Sequence, residues 1–340
     1  MSIVELLVAI GIGTLIVAAM ALLFANNSRS RGETERASHN IENGRFALES
    51  LRNELYHAGY FAEFDPTGLP LPAAKPDPCS TTLAGIQPAM RLHIQGYDNI
   101  TASTLSCLTD VKVGTDAFVV RRASGCVVGS AGCTGLALGA PAFQASSCSG
   151  AAELGSGVVA NYYRLNTDAS PSVLNLHKRD CATPADTRRY VLRIYYVANN
   201  DKAGDGIPTL KYRELSASGG VMAFGTPLSL VQGIEQLQIE YGLDTNADGD
   251  ADVYTAAPDL YLGCGAAACV VNWASVVSAK LFVLSRSIDV SPGHTDTKSY
   301  VLGNKADGSA NSFAAFGDGY KRRVFQEVVR LQNPSGRSGS

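Results

Sequence analysis

The chain carries almost no excess of charge: 28 Lys and Arg stand against 31 Asp and Glu, a net of −3. That balance gives no electrostatic case for nucleic acid or an anionic membrane surface as partner. There is no phosphate loop, no Gly-x-Ser-x-Gly elbow, no His-Glu-x-x-His pair and no dinucleotide fingerprint after a strand, so the usual marks of an enzyme are missing. The histidines, His39, His57, His93, His177 and His294, stand singly and read as surface or packing residues; no catalytic residue is assigned. No Cys-x-x-Cys pair occurs among the irregularly spaced cysteines, which sets zinc aside. No Lys or Arg precedes the first apolar run, and the run is too long for the core of a cleaved secretory signal.

That run is what the chain has in abundance. Leu6 to Ala25 is apolar or small throughout, and as a helix it reaches about 30 Å, enough to span a bilayer's hydrocarbon core. Glu5 sits at its edge with no cation nearby. A carboxylate at mid-bilayer costs on the order of 3 kcal/mol, so Glu5 calls for a cationic partner. The nearest is an α-amino group, that of Met1 or of a neighbouring copy of such a helix. Residues 1–25 are expected as a transmembrane or filament-core helix and 26–58 as its amphipathic continuation. Asn26 to His57 contains no proline, and Ile41, Leu48, Leu51, Leu55 and Ala58 recur at helical spacing, which marks one buried face. Glu42, Arg45, Glu49, Arg52 and Glu54 are expected on the solvated face. Gly59 ends the helix.

All eight cysteines lie beyond the apolar run, a pattern of disulfides made in an oxidising compartment. The expected pairs are the local loops Cys126–Cys133 and Cys264–Cys269, with Cys79–Cys107 and Cys148–Cys181. Residues 59–157, rich in Pro, Gly, Ser and Thr with short apolar runs such as Ala117 to Val120, read as a loop-rich insertion with a few short strands, held by cysteines rather than by a large core. From Val158 the period changes to two, and strands are expected at Val158 to Leu165, Tyr190 to Val197, Pro208 to Glu214, Ile234 to Gly242, Val276 to Arg286 and Arg322 to Leu331. Gln236, Gln238 and Glu240 define a polar face on one of them. Residues 334–340 read as a flexible tail. The expected fold is α+β: a long N-terminal helix whose lower half is wrapped by the antiparallel sheet of residues 158–333.

The opening Met1-Ser2-Ile3-Val4-Glu5-Leu6-Leu7-Val8-Ala9-Ile10 resembles the mature N-terminus of type IV pilins and type II secretion pseudopilins, although Met1 stands where Phe is usual. Glu42-Asn43-Gly44-Arg45-Phe46-Ala47-Leu48-Glu49 and Ala58-Gly59-Tyr60-Phe61 resemble the minor pilins of the PilW family. So do Leu230 to Leu237, Val276 to Ser287 and Arg322 to Asn333. The resemblance implies a pilin-like fold and a leader removed by a prepilin peptidase that methylates the new N-terminus. It also implies residence in the inner membrane with a periplasmic head. Entry into an extracellular pilus used in adhesion and twitching motility would follow, through an assembly platform and contacts with other minor and major pilins. The subunit would prime assembly from the tip, with Met1 and Glu5 as assembly residues. Major pilins carry a proline near the twenty-second place; here stands Ala19-Met20-Ala21-Leu22. Only Gly11 and Gly13, at roughly 1 kcal/mol each relative to Ala, weaken that part of the helix. Other readings are a major pilin with an enlarged head, a J-type pseudopilin, and a membrane-anchored calcium-dependent binding module that never polymerises.

One stretch suggests a metal. Asp244, Asn246, Asp248, Asp250 and Asp252 place oxygen side chains at alternate positions around Gly249, as in Asp-rich Ca2+ loops. Position 12 is Thr255 rather than a bidentate Glu, so calcium binding is expected to be weak; a plain β-turn is the alternative. Asp201 to Gly206 reads as a turn.

Overall fold

The computed structural model describes residues 2–264 and 269–338. Helix α1 runs unbroken over Ile3–Tyr56. Residues 2–31 are exposed on every side, and the helix first meets the rest of the chain at Glu33, which pairs with Lys321. Beyond that, Asn40, Gly44, Ala47, Leu48, Leu51, Glu54 and Leu55 are buried, the stripe that steps of three and four place on one face. Ile41 lies beside the stripe, only half-buried. Glu54 corrects the expected solvated face: it points into the head.

Two antiparallel sheets receive the helix. The larger has the order β1 (Ile94–Tyr97), β2 (Ala117–Val127), β5 (Thr187–Ala198), β3 (Ala142–Ala145), β4 (Tyr163–Asn166). The far half of β5 pairs with β6 (Thr209–Ser218), which in turn pairs with β7 (Val221–Phe224) and β8 (Leu228–Gln232). The smaller sheet has the order β10 (Val253–Thr255), β9 (Ile234–Leu243), β11 (Val276–Arg286), β14 (Arg322–Arg330). A hairpin, β12 (Tyr300–Asn304) with β13 (Ala310–Phe313), forms a separate pair. Of the expected strands, the one at Val158 to Leu165 is displaced: Val159–Asn161 is a 3-10 turn and pairing starts at Tyr163.

One core lies between helix and sheets: Leu51 and Leu55 pack with Phe118, Val120, Leu237, Ile239, Leu281 and Val283. A second corrects the expectation for residues 59–157. Phe61, Met90, Val119, Phe143, Tyr190 and Tyr196 form a buried cluster on the other face of the larger sheet, so this region supplies three strands and half a core. Three disulfides, Cys79–Cys107, Cys126–Cys133 and Cys148–Cys181, lie in and beside it. At the fourth expected pair, Cys269 is buried with its Sγ 2.7 Å from the Asp259 carbonyl oxygen and interacts with the Cys264 side chain; burial and that neighbour push its thiol pKa up to about 11.

The polar face of β9 is covered rather than solvated. Glu240 accepts from the Asn304 N–H at 2.6 Å, and Gln238 accepts from the Asn311 amide at 2.9 Å. The β12–β13 hairpin thus closes over it and satisfies buried side chains that would otherwise be costly. The two sheets are joined by Asp116, whose carboxyl accepts from the Asn99 N–H at 2.9 Å and the Ile239 N–H at 2.8 Å; burial pushes its pKa well up. The expected tail is also structured. Gln332–Ser338 is helical, and Asn333 and Arg337 hydrogen-bond the Ala58 and Gly59 carbonyls at 3.1 and 2.9 Å, closing the C-terminal end of α1.

Candidate functional site

The feature that sets this molecule apart is the free length of α1. It is long and apolar enough to cross a membrane, and nothing in the chain covers its apolar part. At its start, the Ser2 hydroxyl accepts from the Val4 N–H at 3.2 Å, and Glu5 accepts from the Ser2 N–H at 2.8 Å. Serine followed three residues later by glutamate is a capping box, a signal in the sequence that the charge argument passed over. Within a single chain, then, Glu5 caps its own helix; Met1 lies outside the described residues.

The seat of the helix in the head is built from ion pairs and close contacts. Glu54 receives Arg122 Nε at 2.9 Å and Arg193 Nη1 at 2.8 Å. Arg193 also pairs with Glu214 at 2.6 Å, and Arg189 joins the same carboxylate. Burial works against the charge on Glu54, but the two guanidiniums overcome it and hold the carboxyl below its usual range. Where the helix leaves the head, Lys321 pairs with Glu33, Asn40 Nδ2 donates to the Lys321 carbonyl at 3.1 Å, and Asn43 Nδ2 donates to the Gln232 carbonyl at 3.1 Å. Gly44 lies flat against the Phe325 ring: a Cβ there would come within 2.2 Å of it.

The Asp-rich loop sits at the opposite end of β9, after its last residue. Asp244 is buried, and its oxygens accept from the Ala247 and Gly249 N–H groups at 2.6 and 2.9 Å. Asp252 accepts from the Thr245 N–H at 2.7 Å and from the Thr245 hydroxyl, which hold its carboxyl below the usual range. Asn246 Nδ2 donates to Asp248 at 3.0 Å and Asp252 at 3.3 Å, while Asp250 is exposed and faces Arg330 at 3.4 Å. Among the described residues no three His, Cys, Asp or Glu side chains are placed to hold a metal. Asp201 to Gly206 closes as a turn, with Asp205 accepting from the Asp201 and Lys202 N–H groups.

Residues 194–333 match the model of a family described as type IV pilus-assembly protein W, PilW. Over these residues the chain is similar to the PilW family. The matched residues run from the middle of β5 through β14, and therefore take in the whole smaller sheet on which α1 rests. No curated protein and no solved structure matches the chain significantly. PilW is described as a pilus-assembly family, and the match supports a role in type IV pilus assembly. Of the histidines, His39 lies on α1 beside Glu35 and Glu42, and His57 caps the helix with Nδ1 2.7 Å from the Asn53 carbonyl oxygen. His93 is buried with Nε2 2.6 Å from the Val276 carbonyl oxygen, burial pushing its pKa to about 4, and His177 meets Glu153 at 2.7 Å.

Proposed function

We propose that the protein is a minor pilin: a structural, non-catalytic subunit that primes type IV pilus assembly with other minor pilins and comes to lie at the pilus tip. A single observation carries the reading: an apolar helix of transmembrane length stands wholly outside a head similar to the pilus-assembly family. Such a surface in water is unstable, so it exchanges lipid for the helices of sister subunits. Before assembly the helix lies in the inner membrane with the head in the periplasm; afterwards the head is extracellular. Leader removal and N-terminal methylation by a prepilin peptidase belong to the same reading, and Glu5 exchanges its own Ser2 N–H for a neighbour's amine.

The test is a pull-down of the tagged full chain from membranes that also contain its pilus components, with and without Glu5→Ala. Recovery of pilin-like subunits should fall by about tenfold, the worth of roughly 1.4 kcal/mol of lost pairing. Equal recovery and unchanged surface display would overturn the reading.

For the Asp-rich loop we propose weak calcium binding, with the ion taking the place of the Asn246 Nδ2 between Asp248 and Asp252. Calcium at about 1 mM, the affinity of extracellular modules, should raise the unfolding temperature of the full chain, and Asp248→Ala should abolish the rise. No shift up to roughly 10 mM, well above that range, would leave the loop a simple turn.

A further inference from the structure

Strand β14 is nine residues long, Arg322-Arg323-Val324-Phe325-Gln326-Glu327-Val328-Val329-Arg330, and ends the smaller sheet, pairing only with β11. The ladder fixes which of its main-chain groups are used. Leu331 N–H donates to the Val277 carbonyl at 2.8 Å and Ser287 N–H to the Lys321 carbonyl at 2.8 Å, at the two ends of a register that runs without a shift. Antiparallel partners alternate between bonded and non-bonded pairs, so the odd-numbered residues bond to β11 and the even-numbered ones turn N–H and C=O outward. Among the described residues nothing meets those groups at Val324, Gln326 or Val328. The side chain of Arg322 is 0% exposed although the residue is half-buried, which leaves its main chain at the surface.

Soluble proteins blunt such an edge with a proline, a bulge, a very short strand or charged side chains; β14 has no proline or bulge and is nine residues long, and its arginines gather at its two ends, leaving Glu327 as the one charge between Val324 and Val328. Its rim carries exposed Val328, at 59%, and exposed Arg323 and Arg330, with Phe282 and Lys280 beside it on the same cavity wall. Glu327 is engaged by Arg52 at 3.5 Å. An extended segment with an apolar residue opposite Val328 and an acidic one opposite Arg323 fits this rim.

The direction of α1 decides whose segment it is. Glu33, early on the helix, meets Lys321 before β14, and Ala58, at its end, meets Asn333 after β14, so helix and strand run the same way. A second copy pairing antiparallel through the same edge would point its apolar helix the opposite way, and the two could not share one membrane. We propose that the β14 edge is a strand-addition site for a non-identical pilus subunit anchored in the same membrane. This rests on the assembly role given above and adds a contact in the head to the one made by the helices.

Gln326→Pro removes an outward N–H while leaving the β11 ladder whole, since an edge strand accepts proline there. In full chain purified with its identified pilus partners, Gln326→Pro should lower partner recovery by about tenfold, and the wild-type amides of Val324, Gln326 and Val328 should exchange at least about tenfold more slowly in the complex than in the free chain. Unchanged exchange at these amides overturns the proposal whether or not the variant folds. So does a homodimer crosslinked through position 326. Loss of partners on Glu5→Ala with full retention on Gln326→Pro overturns the edge contact alone and leaves the assembly role standing.

Discussion

Glu54→Ala is expected to lower the unfolding free energy of the full chain by about 3–5 kcal/mol, the cost of removing one partner from a buried ion pair. The carboxylate is 7% exposed and lies between Arg122 and Arg193, so its loss leaves two guanidiniums facing each other in a poorly hydrated gap between helix and larger sheet. Chemical denaturation in detergent at neutral pH measures the effect. The pH dependence has a definite sign. The folded-state pKa of Glu54 lies below its ordinary value of 4.5; the stabilisation is therefore complete above that value and is lost as pH falls through the folded pKa. The gap between wild type and variant should close on acidification. A difference under about 1 kcal/mol at neutral pH, the worth of an exposed pair, would mean that Glu54 is solvated in the native protein.

Gly44→Leu is the second large effect. Leucine is a better helix former than glycine by nearly 1 kcal/mol, so an exposed site would gain. At Gly44 the Phe325 ring occupies the space, with Cε2, Cδ2 and Cζ at 2.2, 2.4 and 2.7 Å from the new Cβ. The helix must lift from β14 or the ring must leave the core, and a loss of about 3 kcal/mol is expected, the upper range for an overpacked site. Gly32→Ala, where a Cβ meets nothing within 4 Å, is the matched control and should be neutral or stabilising. Adding Phe325→Ala to Gly44→Leu should recover part of the loss as a non-additive term of about 1–2 kcal/mol; strict additivity would separate the two residues.

Much of the helix and its stripe was legible because burial at Ala47, Leu48, Leu51 and Leu55 follows a local period. The same rule misplaced Glu54: at the edge of the stripe, a carboxylate goes to solvent unless cations await it, and Arg122 and Arg193 come from strands 68 and 139 residues away. No local pattern gives Gly44 a role; what it does depends on Phe325, from the last strand. The polar face of β9 was legible, but alternation reports polarity and not what lies above it; the covering hairpin begins at Tyr300. The capping box at Ser2 and Glu5 was readable and local.

By itself, then, the amino-acid order determined an apolar segment of membrane length joined to an amphipathic helix and β-rich downstream sequence, because hydrophobicity and periodicity act between near neighbours. Tertiary structure alone decided that residues 59–157 share a sheet and a core with the later strands β4, β5 and β6, and that β14 is left with an open edge. Those outcomes depend on which distant strands meet and in what register, and the energy that selects them is shared among residues too far apart in the chain for any local pattern to carry it.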